Sequence, residues 1–513
     1  MAVARTRSVA VIGVTGRTVE VEADVGSGLA GIHLIGLPDT ALSEARDRVR
    51  SAMVNSSYPW PDARIIVSLF PASLPKRGSQ FDLAIAVAIL SAAGVIPAER
   101  IAEPFFLGEL GLDGRIRPVR GVLPSILGAA KHGHGDVTVV VPSGNSAEAA
   151  LVPSVKVVPV SHLRQLVEWL RKGEEAPEPR AEEFAEPPRS AADPTLDLAD
   201  VVGQPVARRA LEVCAAGGHN LWMLGPPGTG KTMLAERLPT LLPDLELDHA
   251  LEVTAIHSVA GALPANAPMV SRPPFVAPHH TATTAAIVGG GSSVVRPGAV
   301  SLAHRGVLFL DEAPEFPRHV LDSLRQPLES GRVTVSRSAG SVTFPARFVL
   351  VLAANPCPCA QAEDKGETCT CTPTIRRRYL GRLSGPLLDR IDMKVTVVRS
   401  SRRELLADRQ FVESSKTVAE RVLAARERAA KRLTGTPWRT NAEIPASLLH
   451  SDYRPSEDAM KPMTSCLDSG TLTARGLDRV VRVAWTLADL ADKDTPGQDE
   501  TNAALSFWLG INS

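Results

Sequence analysis

A glycine-rich segment at residues 225–232 has the composition and spacing of a phosphate-binding loop. It fits the pattern G-x-x-x-x-G-K-[ST], in which glycines let backbone N–H groups wrap around phosphate oxygens while the following helix, predicted over 231–242, points its positive end at them. We expect Lys231 to neutralise charge on the β- and γ-phosphates and Thr232 to ligate Mg²⁺. The predicted nucleotide-binding residues are Gly225, Pro226, Pro227, Gly228, Thr229, Gly230, Lys231 and Thr232.

Two carboxylates follow an apolar segment further along the chain. Residues 306–312 read Gly-Val-Leu-Phe-Leu-Asp-Glu, which predicts a buried strand of a parallel sheet that ends in Asp311 and Glu312. Asp311 would complete the Mg²⁺ ligand shell, and Glu312 would polarise the attacking water. Two acids also occur at ordinary strand–loop junctions, but the phosphate loop upstream favours the catalytic interpretation.

A second apolar segment, residues 348–355, ends in Asn355, whose amide could hydrogen-bond the γ-phosphate or its water. A strand-terminal asparagine is by itself more often a turn residue. The order of phosphate loop, acidic strand and amide strand, however, resembles that of an AAA+ ATPase, in which Asn355 would be sensor 1.

Two arginines complete this set of catalytic candidates. In an AAA+ ring Arg390 would reach the ATP bound by the neighbouring subunit, and Arg475, at the start of a helix near the C-terminus, would act as sensor 2 in its own subunit. Both could instead be surface arginines in salt bridges. An arginine finger has no use in a monomer, so the first interpretation predicts a homo-hexameric ring.

The elements that must position these residues fall into three domains. Residues 171–193 are rich in Pro, Glu and Ala and almost lack large apolar side chains, which predicts a solvated linker. We expect a mixed α/β domain at 1–170, the linker at 171–195, an AAA+ module with a parallel sheet at 196–400 and a helical domain at 401–513. The predicted fold class is therefore α/β multidomain.

Composition excludes several classes of protein. Lysine plus arginine (56) balances aspartate plus glutamate (56), so no global basic field exists and any nucleic-acid contact must be local. The longest uncharged apolar stretch, 83–98, is interrupted by serine, glycine and proline and is too short to span a bilayer comfortably. The N-terminus alternates apolar and polar residues, unlike a signal peptide, so we expect a cytoplasmic protein without a membrane partner.

Residues 331–344, between the acidic strand and the amide strand, predict a β-hairpin around a Ser/Gly turn. In AAA+ helicases a hairpin at this place projects into the channel of the ring, where Arg332 and Arg337 could grip DNA phosphates. The alternative is an exposed hairpin with solubilising arginines. We interpret His279 and His280, in the insertion that precedes the acidic strand, as structural or loop-positioning residues rather than metal ligands.

Four of the six cysteines lie close together in the sequence: Cys357, Cys359, Cys369 and Cys371. Four thiolates without a nearby histidine could form a tetrahedral structural zinc site. The spacing is less diagnostic than paired C-x-x-C, so reduced free thiols and a disulfide remain alternatives. The other two, Cys214 and Cys466, lie in helical patterns and are interpreted as core residues.

Several short sequence motifs, spread over nearly the whole chain, resemble those of a known protein family. They are Gly36-Leu-Pro-Asp39, Pro75-Lys-Arg-Gly-Ser79, Phe81-Asp-Leu83, Gly108-Glu-Leu-Gly-Leu-Asp-Gly114, Ala277-Pro-His279-His280-Thr281, Val288-Gly-Gly-Gly291, Ser301-Leu-Ala-His304, Asn355-Pro-Cys-Pro-Cys359 and Ser384-Gly-Pro-Leu-Leu-Asp-Arg390. In these motifs the chain resembles the ComM/YifB family of magnesium-chelatase-like AAA+ ATPases. It departs from the family at Pro297-Gly-Ala-Val300, where members usually have Pro-Gly-Glu-Ile.

The resemblance implies a Lon-protease-like N-terminal domain, a chelatase-related AAA+ module and a helical C-terminal domain. It implies ATP and Mg²⁺ as cofactors. It also implies a hexameric helicase that acts on single-stranded or branched DNA and drives branch migration in natural transformation, with recombination proteins as further partners.

The N-terminal domain raises a competing hypothesis, because Lon-type proteases use a Ser/Lys dyad. Pro75-Lys-Arg-Gly78 places Gln80 at the position of the nucleophile, and Gly121-Val-Leu-Pro124 places proline at the position of the lysine. Ser79 is one position away and has no lysine partner. We therefore interpret this domain as a non-catalytic scaffold.

The residues favour a DNA motor but leave a second class open, a chelatase-type ATPase that remodels a protein partner. A scaffold that binds ATP without turnover is disfavoured, because Asp311, Glu312, Asn355 and Arg390 are all present. DNA-stimulated ATP hydrolysis would discriminate between the first two classes.

Overall fold

The computed structural model of the chain consists of two α/β modules, each with its own main sheet, and a C-terminal group of helices. The described residues are 3–36, 39–76, 78–132, 137–173, 196–263, 267–291, 295–337, 340–359, 369, 371–400 and 402–511. Most of the predicted linker lies outside them.

The N-terminal module is built on a seven-stranded sheet with the order β3-β4-β2-β1-β5-β8-β9. Its strands are β1 Val3–Ile12, β2 Thr15–Gly26, β3 Gly31–Ile35, β4 Arg64–Phe70, β5 Phe105–Phe106, β6 Glu109–Leu110, β7 Ile116–Arg117, β8 Val137–Pro142 and β9 Val155–Val160. Its helices are α1 Asp39–Asn55, α2 Asp82–Ala92, α3 Val122–His132, α4 Ser146–Ala149 and α5 Leu163–Lys172. The β1–β2 and β2–β4 pairs are antiparallel and the other described pairs of this sheet are parallel, which confirms the mixed α/β prediction.

Helix α2 is apolar on all sides and forms the centre of this module's core. Every residue from Leu83 to Leu90 is buried, as expected for a helix covered on both sides. Helix α3 packs on β2 at a point where Gly16 and Gly128 face each other. A Cβ on Gly128 would lie 2.7 Å from the Gly16 Cα, so only glycine permits this close approach.

The central module is built on a five-stranded sheet with the order β11-β14-β17-β10-β18. The strands of this module are β10 Leu221–Leu224, β11 Phe275–Val276, β12 Gly289–Gly290, β13 Arg296–Pro297, β14 Val307–Leu310, β15 Arg332–Arg337, β16 Gly340–Pro345, β17 Val349–Ala354 and β18 Met393–Thr396. Its helices are α6 Pro205–Gly217, α7 Lys231–Arg237, α8 Leu247–Ala260, α9 Thr284–Val288, α10 Ala299–Leu302, α11 Arg318–Ser323, α12 Arg325–Ser330, α13 Pro373–Leu380 and α14 Gly385–Leu388.

All pairings in the five-stranded sheet are parallel, as the sequence predicts. The buried strands β14 and β17 lie side by side, and β10 lies on the other side of β17, so their carboxyl ends meet at one edge of the sheet. One predicted boundary is wrong. The helix expected over 231–242 ends at Arg237 and continues as a 3₁₀ turn over Leu238–Leu241, because Pro239 has no N–H for an α-helical hydrogen bond.

The C-terminal helices share one core with the five-stranded sheet. They are α15 Arg402–Asp408, α16 Ser415–Arg432, α17 Ala446–Leu449, α18 Glu457–Asp468, α19 Ala474–Leu490 and α20 Gln498–Leu509. The buried carboxylate of Asp392 links the two parts, because it accepts a hydrogen bond from the Asn220 N–H at 2.7 Å and from the Arg479 guanidinium at 2.9 Å. Among the helices that the structure describes, none has the length and apolar composition needed to cross a lipid bilayer.

Among the described residues, the N-terminal module packs against the central module through helix α3 and through the β1–β2 turn. Helix α3 contacts α8, and Ala255 of α8 belongs to the apolar cluster around α3. The turn between β1 and β2 contacts β16, where a Cβ on Gly13 would lie 3.0 Å from the Thr343 carbonyl oxygen. The N-terminal module therefore contacts the same hairpin, β15–β16, that carries the predicted DNA-binding arginines.

Candidate nucleotide-binding site

The phosphate loop joins β10 to α7 in a close approach to the neighbouring strands. The Gly225 N–H donates to the Ala354 carbonyl of β17 at 3.1 Å, and a Cβ on Gly225 would collide with the Val397 carbonyl after β18. Gly228 and Gly230 have φ values of +77° and +88°, a region that favours glycine. The positions of the glycines in the motif are thus required by this backbone.

The Lys231 side chain is buried and makes three hydrogen bonds. Its Nζ donates to the carbonyl oxygens of Gly225 at 2.7 Å and Pro226 at 2.8 Å, and to Oδ1 of Asn355 at 3.2 Å. Burial lowers the pKa of Lys231, while the charges of Asp311 and Glu312 act in the opposite direction. The ammonium is therefore held where the motif requires a cation, and it connects the loop to the predicted sensor amide.

Asp311 and Glu312 follow the carboxyl end of β14, next to the start of α7. The Thr232 hydroxyl donates to Asp311 Oδ2 at 2.7 Å, and the Glu312 N–H donates to Asp311 Oδ1 at 2.9 Å. Glu312 has φ +48°, which is uncommon for a residue with a side chain.

A hydroxyl and a carboxylate oxygen in contact are the kind of ligands that Mg²⁺ prefers, so Thr232 and Asp311 fit the predicted metal site. With Mg²⁺ bound, the metal would neutralise phosphate charge during hydrolysis. Lys231 would bind phosphate oxygens, Asn355 would orient the γ-phosphate or its water, and Glu312 would accept a proton from that water.

The two predicted arginines lie away from this set of contacts. Arg390 donates to Glu329 Oε2 at 2.6 Å and to the Pro386 carbonyl at 2.7 Å. Arg475, the second residue of α19, has an exposed side chain whose guanidinium lies 3.6 Å from Asp389 Oδ2. The structure brings together Lys231, Thr232, Asp311, Glu312 and Asn355, but it does not bring either arginine to them through a described hydrogen bond or ion pair. The finger and sensor 2 roles stay predictions.

His280, which the sequence predicts only as a structural or loop-positioning residue, contacts a carboxylate of the site. His280 lies in the loop after β11, and its Nδ1 is 3.4 Å from Glu312 Oε2. Strand β11 lies beside β14 in the parallel sheet, so the loop after β11 and the end of β14 lie on the same edge. In the sequence this contact is indicated only by the presence of a histidine in the segment Ala277-Pro-His-His-Thr281, which precedes the acidic strand.

The four clustered cysteines lie directly after Asn355. Their sulfur atoms all lie within 4.8 Å of one another. The Sγ atoms of Cys357 and Cys359 are 3.1 Å apart, and each lies 3.3 Å from that of Cys369. These separations exceed the ~2.05 Å of a disulfide bond, so no disulfide joins these four cysteines. The donor set fits a tetrahedral thiolate site.

The predicted hairpin is present as β15 and β16, in antiparallel register with Arg332 opposite Pro345 and Arg337 opposite Gly340. Both arginine side chains are exposed. The Thr334 and Thr343 hydroxyls bond across the strands at 2.9 Å, which stabilises the ladder on its exposed face. The turn itself lies outside the described residues, and the contacts with DNA stay a prediction.

Gln80, at the position of the protease nucleophile, and the residues just before it take part in other contacts. Gln80 donates from Nε2 to the Val9 carbonyl at 2.9 Å, and the Ser79 hydroxyl donates to the Glu109 carboxylate. The buried Lys76 ammonium donates to backbone carbonyls of Pro71 and Leu74. These contacts position the loop before α2, and the scaffold role of this domain stays a prediction.

A parallel sheet in which the phosphate loop, the acidic strand and the amide strand adjoin defines a P-loop ATPase of the AAA+ class. The chain matches three family models, described as "Magnesium chelatase, subunit ChlI" over residues 197–405, "Subunit ChlI of Mg-chelatase" over 21–145 and "Magnesium chelatase, subunit ChlI C-terminal" over 412–508.

The match with several curated proteins extends over full length. The chain is 54% identical to an uncharacterised protein of Mycobacterium tuberculosis, with 99% of each chain covered. It is 41% identical to YifB of Escherichia coli (97% of this chain and 95% of YifB) and 39% identical to the competence protein ComM of Haemophilus influenzae (99% and 97%). The chain belongs to the ComM/YifB family of magnesium-chelatase-like AAA+ proteins, which confirms the family and fold predictions and implies ATPase activity with ATP and Mg²⁺.

Proposed function

We propose that this protein is an ATP-driven DNA motor that works in the cytosol as a hexameric ring and promotes branch migration, as a helicase, during recombination or natural transformation. The observation that carries the proposal is the exposed hairpin between β14 and β17. Its two strands carry the exposed residues Arg332 and Arg337, and they lie in the chain between the strand that Glu312 follows and the strand that Asn355 follows. DNA bound there would contact an element that lies in the chain between the acidic strand and the sensor strand.

A second observation supports DNA rather than another polyanion as the substrate. The chain is 39% identical over nearly its full length to a protein named for competence, the uptake of DNA. The formal net charge of zero makes a local arginine site the simplest source of affinity for phosphates. Single-stranded or branched DNA suits such a site, because a single strand is thin and flexible enough to pass through the narrow central channel of the proposed ring.

The test is the rate of ATP hydrolysis by the full chain with no DNA, with single-stranded oligonucleotides, with forked duplexes and with blunt duplexes of equal length. We expect single-stranded or forked DNA to raise the rate. A rate that none of these DNAs changes would reject the proposal.

The alternative, a remodeller of a protein partner, is favoured by the chelatase descriptions of all three family models. It predicts an ATPase that responds to a protein and not to DNA. The same rate measurement therefore separates the two functions.

We also propose that the four clustered cysteines hold a structural zinc ion. The sulfur separations given above suit four ligands around one ion, and four thiolates leave no open coordination position for catalysis. Because the cluster starts two residues after Asn355, the ion would fix the segment that leaves the sensor strand.

A further inference from the structure

Asn220 joins three segments of the central module. It precedes β10, the strand that leads into the phosphate loop, and its backbone N–H donates to Asp392 Oδ2 at 2.7 Å. Its side-chain Nδ2 donates to the Arg390 carbonyl at 2.9 Å, and its Oδ1 accepts from the N–H of Leu350 in the sensor-strand segment at 2.8 Å. One amide side chain thus holds the backbone of Arg390 against the strands that lead to the phosphate loop and to Asn355.

The carboxylate of Asp392 fixes the same segment to the C-terminal helices. It is buried, and its Oδ1 accepts from the Arg479 guanidinium of α19 at 2.9 Å. The His219 imidazole, whose Nδ1 lies 3.9 Å from Asp392 Oδ2, is neutral near pH 7 because burial lowers its pKa to about 4. Arg479 therefore balances the buried charge, and the segment from Arg390 to Asp392 is held from two sides.

The backbone and the guanidinium of Arg390 are held in different ways. The carbonyl is bonded inside the module by Asn220, whereas the guanidinium is bonded to Glu329, whose side chain is 73% exposed. Arg390 precedes β18, which runs parallel to β10, so it lies at the amino edge of the sheet. The phosphate loop follows the carboxyl edge, roughly 13 Å away for a strand of four residues. Arg390 is therefore fixed at its backbone, on the edge opposite its own phosphate loop, with a side-chain partner that another anion can replace.

We infer that Asn220 is a positioning residue for Arg390: its amide sets the backbone from which that guanidinium reaches the nucleotide of a neighbouring subunit. This role rests on the proposed function, because only a ring brings Arg390 to a neighbour's nucleotide. A shift of about 1 Å in a group that acts on the transition state is costly, and the amide donor prevents such a shift. Asn220 should therefore affect hydrolysis through Arg390 while nucleotide binding in its own subunit stays intact.

The test starts from Asn220→Asp, which keeps the size and the acceptor of asparagine but lacks the donor to the Arg390 carbonyl. We expect kcat of the full chain to fall on the order of tenfold, with an unchanged Kd for a fluorescent ATP analogue. Asn55→Asp is the matched control, because it removes a similar amide bond to the Leu112 carbonyl in the N-terminal module and should leave kcat unchanged. Asn220→Ser, whose side chain is too short for the same bond, takes the place of Asn220→Asp if the charged variant does not fold.

A double-mutant cycle separates a positioning role from a general structural one. Once Arg390→Ala has removed the guanidinium, the amide has nothing left to position, so adding Asn220→Asp should lower kcat no further. A structural role would instead lower kcat by the same factor in both backgrounds.

Three results would overturn the role of Asn220. A normal kcat for Asn220→Asp, or a full further fall in the double variant, would do so while Arg390 keeps its assignment. A normal kcat for Arg390→Ala would remove the neighbour's use of that arginine, and with it both the role of Asn220 and the argument for the ring.

Discussion

At the scale of single residues, the site depends on a buried cation. The Lys231 ammonium donates hydrogen bonds to two carbonyls of its own loop and to the Asn355 side chain. Burial lowers its pKa, so the charged form is stabilised mainly by these acceptors and by the nearby carboxylates. Phosphate oxygens would be stronger acceptors than backbone carbonyls, which explains why the motif needs lysine in an otherwise uncharged loop.

We predict that Lys231→Ala weakens nucleotide binding about tenfold to a hundredfold, since it removes charged hydrogen bonds. Glu312→Gln should keep nucleotide binding and lower kcat on the order of a hundredfold or more, because an amide cannot accept the proton of the water. Binding of a fluorescent ATP analogue and steady-state turnover measure the two effects, with Lys416→Ala on α16 as the surface control. Near-normal hydrolysis by Glu312→Gln would refute its assignment as the base.

The cysteines give a second prediction at this scale. Protein purified without chelator should contain about one zinc ion per chain, and the double change Cys357→Ser with Cys359→Ser should lose it. Elemental analysis measures the metal, and Cys214→Ser, in the core at α6, is the control that should retain it. Active protein with negligible zinc would leave the four sulfurs as free thiols.

At the scale of elements, the hairpin β15–β16 is the feature that distinguishes this protein from a simple P-loop ATPase. Its ladder is held by cross-strand hydroxyl pairs, β12 lies against its Val335 and Arg337 side chains, and the β1–β2 turn of the N-terminal module lies against Thr343. It can therefore transmit force to both neighbours, while its arginines stay exposed.

We predict that Arg332→Ala with Arg337→Ala reduces DNA-stimulated hydrolysis and branch migration while basal hydrolysis stays close to wild type. The slope of log affinity for single-stranded DNA against log salt should fall by about 0.7 for each lost phosphate contact. Arg115→Ala with Arg454→Ala, two exposed arginines on the outer modules, is the matched control. Equal affinity and equal salt slope for the hairpin variant and wild type would move the DNA site elsewhere.

The helix expected near the C-terminus, with Arg475 at its start, is present as α19. Helix α8 was not predicted, because it has no single apolar face. It is buried against both α3 of the N-terminal module and α10 of its own module, so its residues are apolar without helical periodicity. Contacts on two sides remove the pattern from which a helix can be predicted.

At the scale of the whole molecule, the position of Arg390 is the main argument for assembly. Its guanidinium is bonded to Glu329 of α12, and the Glu329 side chain is largely exposed. A partner subunit could reach this ion pair and replace Glu329 with its own nucleotide phosphates. The arginine would then change from an intramolecular contact to a catalytic one.

We predict that inactive subunits poison mixed assemblies. If hydrolysis at one site of the ring depends on its neighbours, Arg390→Ala or Glu312→Gln subunits mixed with wild type should lower hydrolysis more than in proportion to their fraction. Turnover is measured across a series of mixing ratios, with the surface variant Lys416→Ala as the control that should cause no loss. A strictly linear loss for both variants would argue for independent monomers.

Local patterns in the chain were enough to predict the phosphate loop, the acidic strand and the sensor strand, because the spacing of each follows from the turn or strand it occupies. The same holds for the α/β class and the hairpin. Which of these residues meet depends on the folded chain: the Lys231 bond to Asn355, the approach of the four sulfurs, and the contact of His280 with Glu312. The parallel pairing of β11 with β14 brings that histidine and that glutamate to one sheet edge, and no local pattern records a pairing between strands distant in sequence.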